Sequence, residues 1–377
     1  MYQKFLRGSR GQFFKKRPLV AEGNNKGNNK MGLKTSLSPR LIKNRIRLLK
    51  SYLKRETVSR GFPVEIAIEI TNHCNANCIM CPRQKMEREK GFMDFDLFKK
   101  IVDEAREYTE FVFLHLAGEP LLHPKLMEMI DYCGKIGLKS GFSTNAISLD
   151  EAKSKQLLQL PLDLLVLSFD GVTKETYETI RKKANFESTY QNINRFLVLK
   201  SKSKKSPYTM IQLIYQEENF KEAKDFYLKW KKSAVDVVRV KPYLNYPGLD
   251  EYLGKRTRRT GEKIKPCMLL WRQLAIYWDG TVVACCMDFL SKMVLGNAAD
   301  ASIAEIWNGD PMQKLREIHG SGKIAELKHC MECSIPQVGL VGLVGMLFLD
   351  DFVIKKLLPR IEQLTILKNI KRVSYFD

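Results

Sequence analysis

Residues 64–83 read VEIAIEITNHCNANCIMCPR, an apolar segment followed at once by three closely spaced cysteines. The first seven residues, rich in Val and Ile, predict a buried strand. Cys74, Cys78 and Cys81 then place three thiolates on one short loop. Such a loop suits an iron–sulfur cube, and three thiolates leave one of its irons without a protein ligand. The alternative is a zinc ion completed by His73 or by a remote ligand.

The strand at the start of this stretch is the first of six apolar segments that alternate with helical ones. The predicted strands are VEIAIEI (64–70), FVFLHLA (111–117), LKSGFST (138–144), DLLVLSF (163–169), YTMIQLI (208–214) and DVVRVKPY (236–243). Helices are predicted between them at 94–108, 124–136, 150–159, 173–200 and 219–232. This alternation predicts a parallel sheet with right-handed crossovers, and six strands are fewer than the eight of a closed barrel. We therefore expect an α/β fold, a partial (β/α)6 TIM-like barrel whose functional loops follow the carboxyl ends of the strands.

The chain has 377 residues and a formal net charge of +21, concentrated near the N-terminus. Residues 1–60 hold 17 Lys and Arg against 2 Asp and Glu, whereas all later residues together carry a surplus of only 6 positive charges. The excess charge therefore belongs to a basic arm, and nucleic acid is not the partner expected for the whole protein.

A helix is predicted at residues 39–56, where Ile42, Ile46, Leu49 and Leu53 recur at helical spacing among Lys and Arg. One interpretation is a helix that packs against the following domain. The other is a basic amphipathic helix on an anionic surface such as membrane lipid.

The pattern changes after residue 250, where a charged linker leads to a smaller unit. LAIYWDGTVVACC (274–286) predicts a hairpin that turns at Asp279–Gly280, and a helix is predicted at 302–319. The apolar stretch that begins at Ile335 has 15 residues, too few to span a bilayer, and it either caps the core or touches a membrane surface. We therefore divide the chain into a basic flexible arm, a basic amphipathic helix, a partial barrel, an auxiliary α+β domain and an apolar to amphipathic tail, at residues 1–36, 37–61, 62–250, 251–335 and 336–377.

Nine cysteines are present, in an odd number and in clusters, and the first 30 residues show no secretory signal. This usage indicates a reducing, cytoplasmic setting in which cysteines bind metal. The second cluster provides four thiolates that can converge on one complete site, with zinc as the alternative metal. Its members are Cys267, Cys285, Cys330 and Cys333, and Cys286 could take the place of Cys285.

ITNHCNANCIMCPR and AGEPLLHP (117–124) resemble the cysteine loop and the Gly-Gly-Glu-Pro motif of the radical S-adenosylmethionine (SAM) superfamily. The resemblance covers about residues 62–335. Met80 stands where that family usually has an aromatic residue, and Ala117 replaces the first glycine. The resemblance implies a 4Fe–4S cluster on the three cysteines, with its open iron chelated by the amino and carboxylate groups of SAM.

The same resemblance implies roles for residues at the strand ends. Gly118 and Glu119 would hold the amino group of SAM, because a carboxylate facing an ammonium forms a charge-assisted hydrogen bond. Met80 would pack on the adenine, and Arg181 would pair with the carboxylate of the cofactor. Other polar residues at strand ends would face the ribose or the substrate, or would merely cap the following helix. These residues are Ser143, Thr144, Asn145, Ser168 and Asp170.

The second cysteine set resembles the SPASM/twitch extension of radical SAM enzymes, with twelve residues between Cys267 and Gly280. The further cysteines of a full SPASM domain are missing from the sequence, so the resemblance is to the twitch form with one auxiliary 4Fe–4S cluster. It implies cleavage of SAM to a 5′-deoxyadenosyl radical, hydrogen abstraction from the substrate, and electron transfer from the substrate radical to the auxiliary cluster. The proton acceptor that this oxidation needs is predicted at Asp288 or Lys241, with Arg239 and Tyr243 as further candidates.

Three functions are therefore predicted. The leading hypothesis is a radical SAM oxidoreductase that acts on a small polar, sugar-like or lipid-linked substrate and receives electrons from flavodoxin or ferredoxin. The second is a peptide or protein maturase that modifies a side chain by the same chemistry. The third is a non-catalytic zinc-binding scaffold at an anionic surface. The expected location is the cytoplasm, either free or in peripheral contact with the inner face of an anionic membrane.

Overall fold

The computed structural model describes residues 38–243, 246 and 265–333, and one curved sheet covered by helices forms their core. Nine strands make up this sheet, in the order β11-β10-β9-β1-β3-β4-β5-β7-β8, and β2 pairs separately with β6. The described strands are β1 (Glu65–Ile68), β2 (Asn77–Cys78), β3 (Phe111–Phe113), β4 (Lys139–Thr144), β5 (Leu164–Ser168), β6 (Arg181–Lys182), β7 (Tyr208–Tyr215), β8 (Val237–Pro242), β9 (Gln273–Ile276), β10 (Thr281–Val283) and β11 (Val294–Asn297).

Helices follow most of the parallel strands, as a parallel sheet with crossover connections requires. The described helices are α1 (Pro39–Lys54), α2 (Phe95–Ala105), α3 (Leu126–Lys135), α4 (Glu151–Gln159), α5 (Lys174–Ile180), α6 (Phe186–Lys202), α7 (Ala223–Trp230), α8 (Ile303–Trp307), α9 (Asp310–Gly320) and α10 (Lys328–Met331). None of these helices combines the length and the apolar character that crossing a bilayer demands.

The two faces of the sheet have different surroundings. Ile66 and Ile68 of β1 are fully buried in the main core, together with apolar residues of the covering helices. Ala67, the residue between them, belongs to a small separate cluster with Ala275 and Tyr277 of the β9 segment. Because side chains alternate along a strand, one face of the sheet packs on the helices and the other lines the interior of the curve.

All six predicted parallel strands are confirmed, and with them the α/β class. Five of them begin and end within two residues of the prediction. The exception is the strand predicted at 111–117, which ends at Phe113. The backbone N–H of Leu114 still donates to the carbonyl of Gly141 at 2.8 Å, and the chain then enters a loop in which Gly118 adopts a left-handed φ of 81°.

The predicted hairpin at 274–286 is also confirmed, and it extends the barrel sheet. β9 and β10 pair in antiparallel fashion around Gly280, whose φ of 86° suits the turn. β9 in turn pairs in parallel with β1, from Gln273 opposite Glu65 to Ile276 opposite Ile68. The segment with the second cysteine set is therefore hydrogen-bonded to the strand that leads into the first set, while the five-part domain division stays a prediction.

The helix predicted at 173–200 is wrong as a single element. α5 ends at Ile180, and α6 begins only at Phe186. Between them β6 takes an extended path, and Lys183 has a left-handed φ of 69°, which no helix accommodates. Asn185 then starts the second helix by accepting a hydrogen bond from the backbone N–H of Ser188 at 2.9 Å.

The helix predicted at 302–319 is likewise divided into two. α8 ends at Trp307, and α9 begins at Asp310 after Gly309, which has an extended ψ of 162°. Pro311 explains the break, because its ring would clash with the preceding turn of a continuous helix and it has no N–H to donate.

The helix predicted at 39–56 is confirmed as α1, and it packs against the following part of the chain. Leu48 is fully buried. The Asn44 side chain donates to the carbonyl of Phe62 at 3.0 Å, and Arg45 forms an ion pair with Glu110 at 2.9 Å. The predicted arm at 1–36, most of the linker after residue 250 and the tail at 336–377 lie outside the described residues.

Candidate functional site

The loop of the first cysteine set is held by the break between α5 and α6. Cys78 lies opposite Arg181 in the β2–β6 pair, and the backbone N–H of Ile79 donates to the carbonyl of Ile180 at 2.9 Å. Within the loop, the N–H of Cys81 donates to the carbonyl of Cys78 at 3.1 Å. The interruption that the sequence pattern did not predict therefore fixes the position of the cysteines.

The three thiols share one poorly solvated environment. The pKa of Cys78 is raised to about 12, mainly by burial and in part by the neighbouring thiols of Cys81 and Cys74, against the opposing charge of Arg181. Burial likewise raises the pKa values of Cys74 and Cys81. Thiolates grouped in this way are stable only with a cationic partner, and metal coordination deprotonates a thiol outright.

The AGEP motif lies directly against the cysteine loop. A Cβ on Gly118 would stand 2.3 Å from the carbonyl oxygen of Thr71, so only glycine fits this close approach. The backbone N–H of Glu119 donates to the carbonyl of His73 at 2.7 Å. The motif and the loop therefore form one unit at the carboxyl ends of β1 and β3.

The Glu119 carboxylate is buried and ties this unit to the end of β4. It accepts hydrogen bonds from the Thr144 hydroxyl and from the backbone N–H of Asn145, both at 2.7 Å. Burial raises its pKa, and these hydrogen bonds offset part of the effect. The Asn145 amide reaches onward to Asn75 Oδ1 at 2.8 Å and to Cys74 Sγ at 3.7 Å. Glu119 and Asn145 thus meet the cysteine loop as expected, while their contacts with SAM stay predictions.

Asp170 and Arg181 form a buried ion pair beside Cys78. The guanidinium donates to Asp170 Oδ2 from Nε at 2.8 Å and from Nη2 at 2.6 Å, and Nη1 approaches Cys78 Sγ at 3.9 Å. Asp170 Oδ1 also accepts from the backbone N–H of Ile214 at 2.7 Å. Arg181 therefore belongs to the first cysteine site, and its predicted pairing with the SAM carboxylate stays a prediction.

A row of polar side chains lies across the interior face of the sheet below this site. The hydroxyls of Ser143 and Ser168 are 2.9 Å apart, and the Gln212 amide donates to Ser168 Oγ at 2.8 Å. The backbone N–H of Ser143 donates to His115 Nδ1 at 3.3 Å. Burial, and then the ammonium of Lys241, lower the pKa of His115 to about 4. The imidazole is therefore neutral near pH 7, with its proton on Nε2.

The sequence pattern predicted Ser143, Ser168 and Lys241 for this interior, but not His115 or Gln212. The signal for His115 and Gln212 was their position along the chain. His115 is two residues after Phe113, which packs in the interior cluster, and Gln212 interrupts the apolar run of β7. A polar side chain at an interior position of a buried strand destabilises the fold unless it is hydrogen-bonded, so such a residue indicates a structural or functional role.

The second cysteine set is assembled from three separate segments. Burial raises the pKa of Cys267 to about 11, and the nearby thiols of Cys333 and Cys286 add to the effect. Cys330 Sγ approaches Met293 Sδ at 3.9 Å. The backbone N–H of Cys267 donates to His319 Nδ1 at 3.1 Å, which anchors the first of the segments.

Cys285 and Cys286 are distinguished by their hydrogen bonding. The hydrogen bond between their thiols raises the pKa of Cys285 and lowers that of Cys286, and Gln273 lowers the latter further. Both thiols are close to Cys267, so the choice between them as ligands stays a prediction. Cys133, by contrast, is fully buried in the main core.

Asp288 is fully buried, unlike the exposed hairpin residue that its position near a turn suggests. Its carboxylate accepts hydrogen bonds from the backbone N–H groups of Lys292 at 2.9 Å and Met293 at 2.6 Å. The hydroxyl of Tyr277 donates to its backbone carbonyl. These contacts describe a residue that stabilises the turn before β11, and its role as a proton acceptor stays a prediction.

Arg88 joins the two cysteine regions and was not predicted. It donates to both carboxylate oxygens of Glu69, at 2.8 and 2.9 Å, and its guanidinium carbon lies 3.6 Å from the centroid of the Tyr277 ring. Glu69 follows β1, and Tyr277 follows β9. Glu69, one of two acidic residues in the apolar run VEIAIEI, was the available signal, because a buried carboxylate requires a partner.

Comparison with known proteins identifies the chain. The family model of the Radical SAM superfamily matches residues 68–228, and that of the SPASM iron–sulfur cluster-binding domain matches residues 267–334. The chain belongs to the radical SAM superfamily and carries a SPASM-type domain. This membership implies a 4Fe–4S cluster with SAM at the first cysteine set and auxiliary iron–sulfur binding at the second.

Several relatives share long stretches with this radical SAM protein. The PqqA peptide cyclase of Gluconobacter oxydans is 23% identical over 283 residues, which cover 66% of this chain and 78% of the cyclase. The S-adenosyl-L-methionine-dependent 2-deoxy-scyllo-inosamine dehydrogenase of Niallia circulans is 22% identical over 272 residues, covering 71% and 92%. A tungsten-containing aldehyde ferredoxin oxidoreductase cofactor-modifying protein of Pyrococcus furiosus is 41% identical, but over only 27% of this chain and 30% of its own length.

Among solved structures, BtrN in complex with AdoMet and 2-DOIA matches with a TM-score of 0.51 and 19% identity, covering 74% of this chain and 95% of BtrN. This likeness concerns the fold, and it agrees with the predicted partial barrel followed by an auxiliary unit.

The residues present fit the implied clusters. Soft thiolate ligands are what iron–sulfur clusters bind, and three and at least four cysteines are grouped at the two sites. Hydrogen-bond donors from Asn145 and Arg181 approach the sulfurs of the first set, as is typical around cluster ligands. Within the described ranges, no three Cys, His, Asp or Glu side chains are placed to hold a single metal ion.

Proposed function

We propose that this radical SAM protein is an oxidoreductase that removes hydrogen from a polar substrate and delivers an electron to the auxiliary cluster. The observation that carries this proposal is the position of Tyr246. Burial raises the pKa of Tyr246, and the thiols of Cys81 and Cys286 raise it further. Its ring packs edge-on against Phe289, with centroids 4.8 Å apart. One partly buried side chain is therefore near thiols of both cysteine sets, which supports a short path between the two clusters.

The loaded first site would supply reductive cleavage of SAM to a 5′-deoxyadenosyl radical that takes one hydrogen atom from the substrate. The substrate then loses one proton and one electron, which completes a two-electron oxidation. We propose flavodoxin or ferredoxin as the donor of the initiating electron, and the auxiliary cluster as the acceptor of the substrate electron. The proposed acceptors of the substrate proton are Asp288 and Lys241, the latter only after its ammonium has lost a proton to become the neutral amine.

The protein's own task is to bind, orient and enclose the reacting groups. Gly118, Glu119 and Asn145 form a rigid unit against the cysteine loop, which supports a fixed orientation for SAM. Met80 is buried beside Cys81 and is proposed to face the adenine. Ser168 and Asp170 are buried at the end of β5, so ordering a cofactor there would require little rearrangement.

A polar substrate is favoured by the interior of the barrel. Ser143, Ser168, Gln212 and neutral His115 line that interior with hydroxyl, amide and imidazole groups, and Lys241 adds a positive charge nearby. These groups already bond to one another, and a hydroxyl or amine of a substrate could join this network, whereas a hydrocarbon could not. Likeness to the inosamine dehydrogenase of Niallia circulans supports a small hydroxylated molecule.

A second candidate is a peptide maturase. The 23% identity to PqqA peptide cyclase over two thirds of the chain favours it. The same polar interior would then hold one peptide side chain, and the chemistry at the first site would be unchanged.

The test begins with the full chain reconstituted with iron and sulfide in the absence of oxygen. Two 4Fe–4S clusters correspond to about eight irons per chain. We expect dithionite and SAM to yield 5′-deoxyadenosine, and Cys78→Ala to abolish it. Cys267→Ala, which affects only the auxiliary site, is expected to keep 5′-deoxyadenosine formation and to lose the oxidised product. The substrate panel contains aminocyclitols and short peptides, analysed by mass for a loss of two hydrogens.

The outcomes separate the proposals. Colourless protein with stoichiometric zinc contradicts both enzymatic functions and leaves the scaffold hypothesis. Oxidised product formed equally well by Cys267→Ala contradicts the auxiliary electron acceptor. A cross-linked peptide with no turnover of any aminocyclitol favours the maturase.

A further inference from the structure

The apolar stripe of α1 faces away from the rest of the protein. Ile42, Ile46 and Leu53 are 43%, 43% and 60% exposed, and Leu49 between them is half-buried. These residues recur at helical spacing and therefore form one continuous strip along the helix. A surface helix of a globular domain normally turns such a stripe toward the core.

α1 instead packs through another side, on which Leu48 is fully buried among polar residues. Asn44, Arg45 and Ser51 are buried. Ser51 Oγ donates to Glu56 and accepts from the backbone N–H of Arg60, in both cases at 2.8 to 2.9 Å. Docking of the helix is therefore already complete without the apolar stripe, which leaves the stripe for another contact.

Basic side chains flank the stripe on one side. Lys43, Arg47, Lys50 and Lys54 are all exposed, and none of them forms an ion pair within the described residues. α1 contains no Asp or Glu, and the acidic residues that bond to its side chains, Glu56, Glu107 and Glu110, are bonded to Ser51, Arg40 and Arg45 rather than to these four cations. The outer face of α1, meaning the four apolar and these four basic residues, therefore combines apolar area with uncompensated positive charge.

This concentration of exposed apolar residues is particular to one end of the described chain. Eight large apolar side chains are exposed among the described residues. Four of them lie between Ile42 and Val58, and the other four are isolated from one another. Single exposed apolar residues need no explanation, whereas a contiguous strip marks an interaction surface.

We propose that the outer face of α1 binds an anionic membrane surface. Apolar side chains that enter the headgroup boundary, with Lys and Arg beside them to meet anionic lipids, are the features of helices that lie in a membrane interface. Charge complementarity selects the lipid: four unpaired cations and no acidic residue fit a phosphatidylglycerol-type surface better than a neutral one. The barrel would then be held at the lipid surface by a helix that is already docked to it.

The experiment uses the full, cluster-loaded chain and sedimentation with vesicles. One vesicle type contains phosphatidylcholine alone, and the other contains phosphatidylcholine with phosphatidylglycerol. The test variant is Ile46→Glu with Leu53→Glu. The matched control is Val198→Glu with Leu228→Glu, which removes two exposed apolar side chains from other helices and changes the net charge equally. Because all four positions are exposed, both variants should fold, which 5′-deoxyadenosine formation checks independently.

Wild-type protein is expected to bind the anionic vesicles and to release them as salt is raised. The test variant should bind at least about tenfold more weakly, because it loses apolar burial and gains two repelled charges. The control should stay within about twofold of wild type. The proposal is overturned if wild type binds neither vesicle, as a protein partner for α1 would predict, or if both variants lose binding equally. Undiminished binding by the test variant would overturn it as well.

Discussion

The two cysteine sets of this protein are built in opposite ways. The first occupies eight consecutive residues, Cys74 to Cys81, on a loop that follows one strand. The second draws on segments as far apart as Cys267 and Cys333, brought together by a hairpin and two short helices. Local sequence therefore brings the three cysteines of the first set together on one loop, whereas only the assembled fold gathers the second set.

Their surroundings differ accordingly. The first set is met by charged and amide donors from neighbouring strand ends, namely Arg181 and Asn145. The second lies among core residues, where Cys285 is buried and Cys330 touches the sulfur of Met293. The second set also receives an amide hydrogen bond, from Gln273 to Cys286, so the two sets differ mainly in the ion pair beside Cys78 and in the packing of the second set against the core.

Among the variants considered, removal of the Asp170 charge should produce the largest difference between the two cysteine sites. Asp170→Asn leaves the Arg181 guanidinium buried without its carboxylate, and breaking a buried pair in this way costs about 3–5 kcal/mol of unfolding free energy. Because Arg181 and the cysteine loop share the β2–β6 pair, the first cluster should be lost and the second retained, so iron should fall by about half. Urea unfolding without oxygen and iron analysis measure the two effects.

Glu151→Gln is the control, since its pair with Lys155 is exposed and should contribute little to stability. Equal loss of both clusters in Asp170→Asn would contradict a separate support for the first site.

His115 should make the interior below the first site sensitive to acid. Its folded pKa of about 4 is below the unfolded value of about 6.5, so its contribution to stability is complete above pH 6.5. As pH falls toward 4, the unfolded chain binds a proton at His115 that the folded chain does not. The free energy of unfolding therefore falls by up to about 3 kcal/mol. His115→Gln removes this step.

The measurement is the difference in unfolding free energy between wild type and His115→Gln at pH 7 and at pH 4.5, because the difference cancels all other titrating groups. A difference that does not change between these pH values would show that the imidazole is solvated.

Arg88 tests the connection between the two regions. Arg88→Lys keeps the charge beside Glu69 but loses the second hydrogen bond and the contact with the Tyr277 ring, at an expected cost of about 1–2 kcal/mol. Because the residue joins both regions, the retention of both clusters should fall together on mild heating. Arg60→Lys, in an exposed pair with Glu56, is the matched control, and it should change stability little. Selective loss of one cluster would contradict a joining role.

Much of the first site could be predicted from sequence because its signals are local. Apolar runs gave the six parallel strands, and the residues that end them, such as Ser168 and Asp170, stand where the parallel topology collects strand ends. Gly118 was predicted from the resemblance of AGEPLLHP to a family motif, and the close approach of the Thr71 carbonyl explains why a side chain is excluded there.

The unpredicted features depend on contacts between distant residues. The break at Arg181 pairs with Cys78, 103 positions earlier, and no local pattern carries that information. β9 pairs with β1 across more than 200 residues. The hairpin could therefore be predicted from sequence, but its pairing with β1 could not. The direction of α1 was equally hidden, because periodicity identifies the apolar stripe without saying which side of the helix is docked.

The smallest predicted effect concerns the scaffold of the second region. Ser302 caps α8 in a reciprocal capping box with Glu305, and Glu104 of α2 accepts the next two backbone N–H groups at 2.8 Å. Ser302→Ala should cost about 1 kcal/mol, because one N–H loses its acceptor while Glu104 still satisfies the others. Ser201→Ala, on the exposed end of α6, should cost less than about 0.5 kcal/mol. Both variants should keep both clusters, because the second cysteine set is held together by packing of the core and does not depend on the N-terminal cap of α8. If Ser302→Ala released the auxiliary iron, that set would depend on local helix structure, much as the first set depends on its loop.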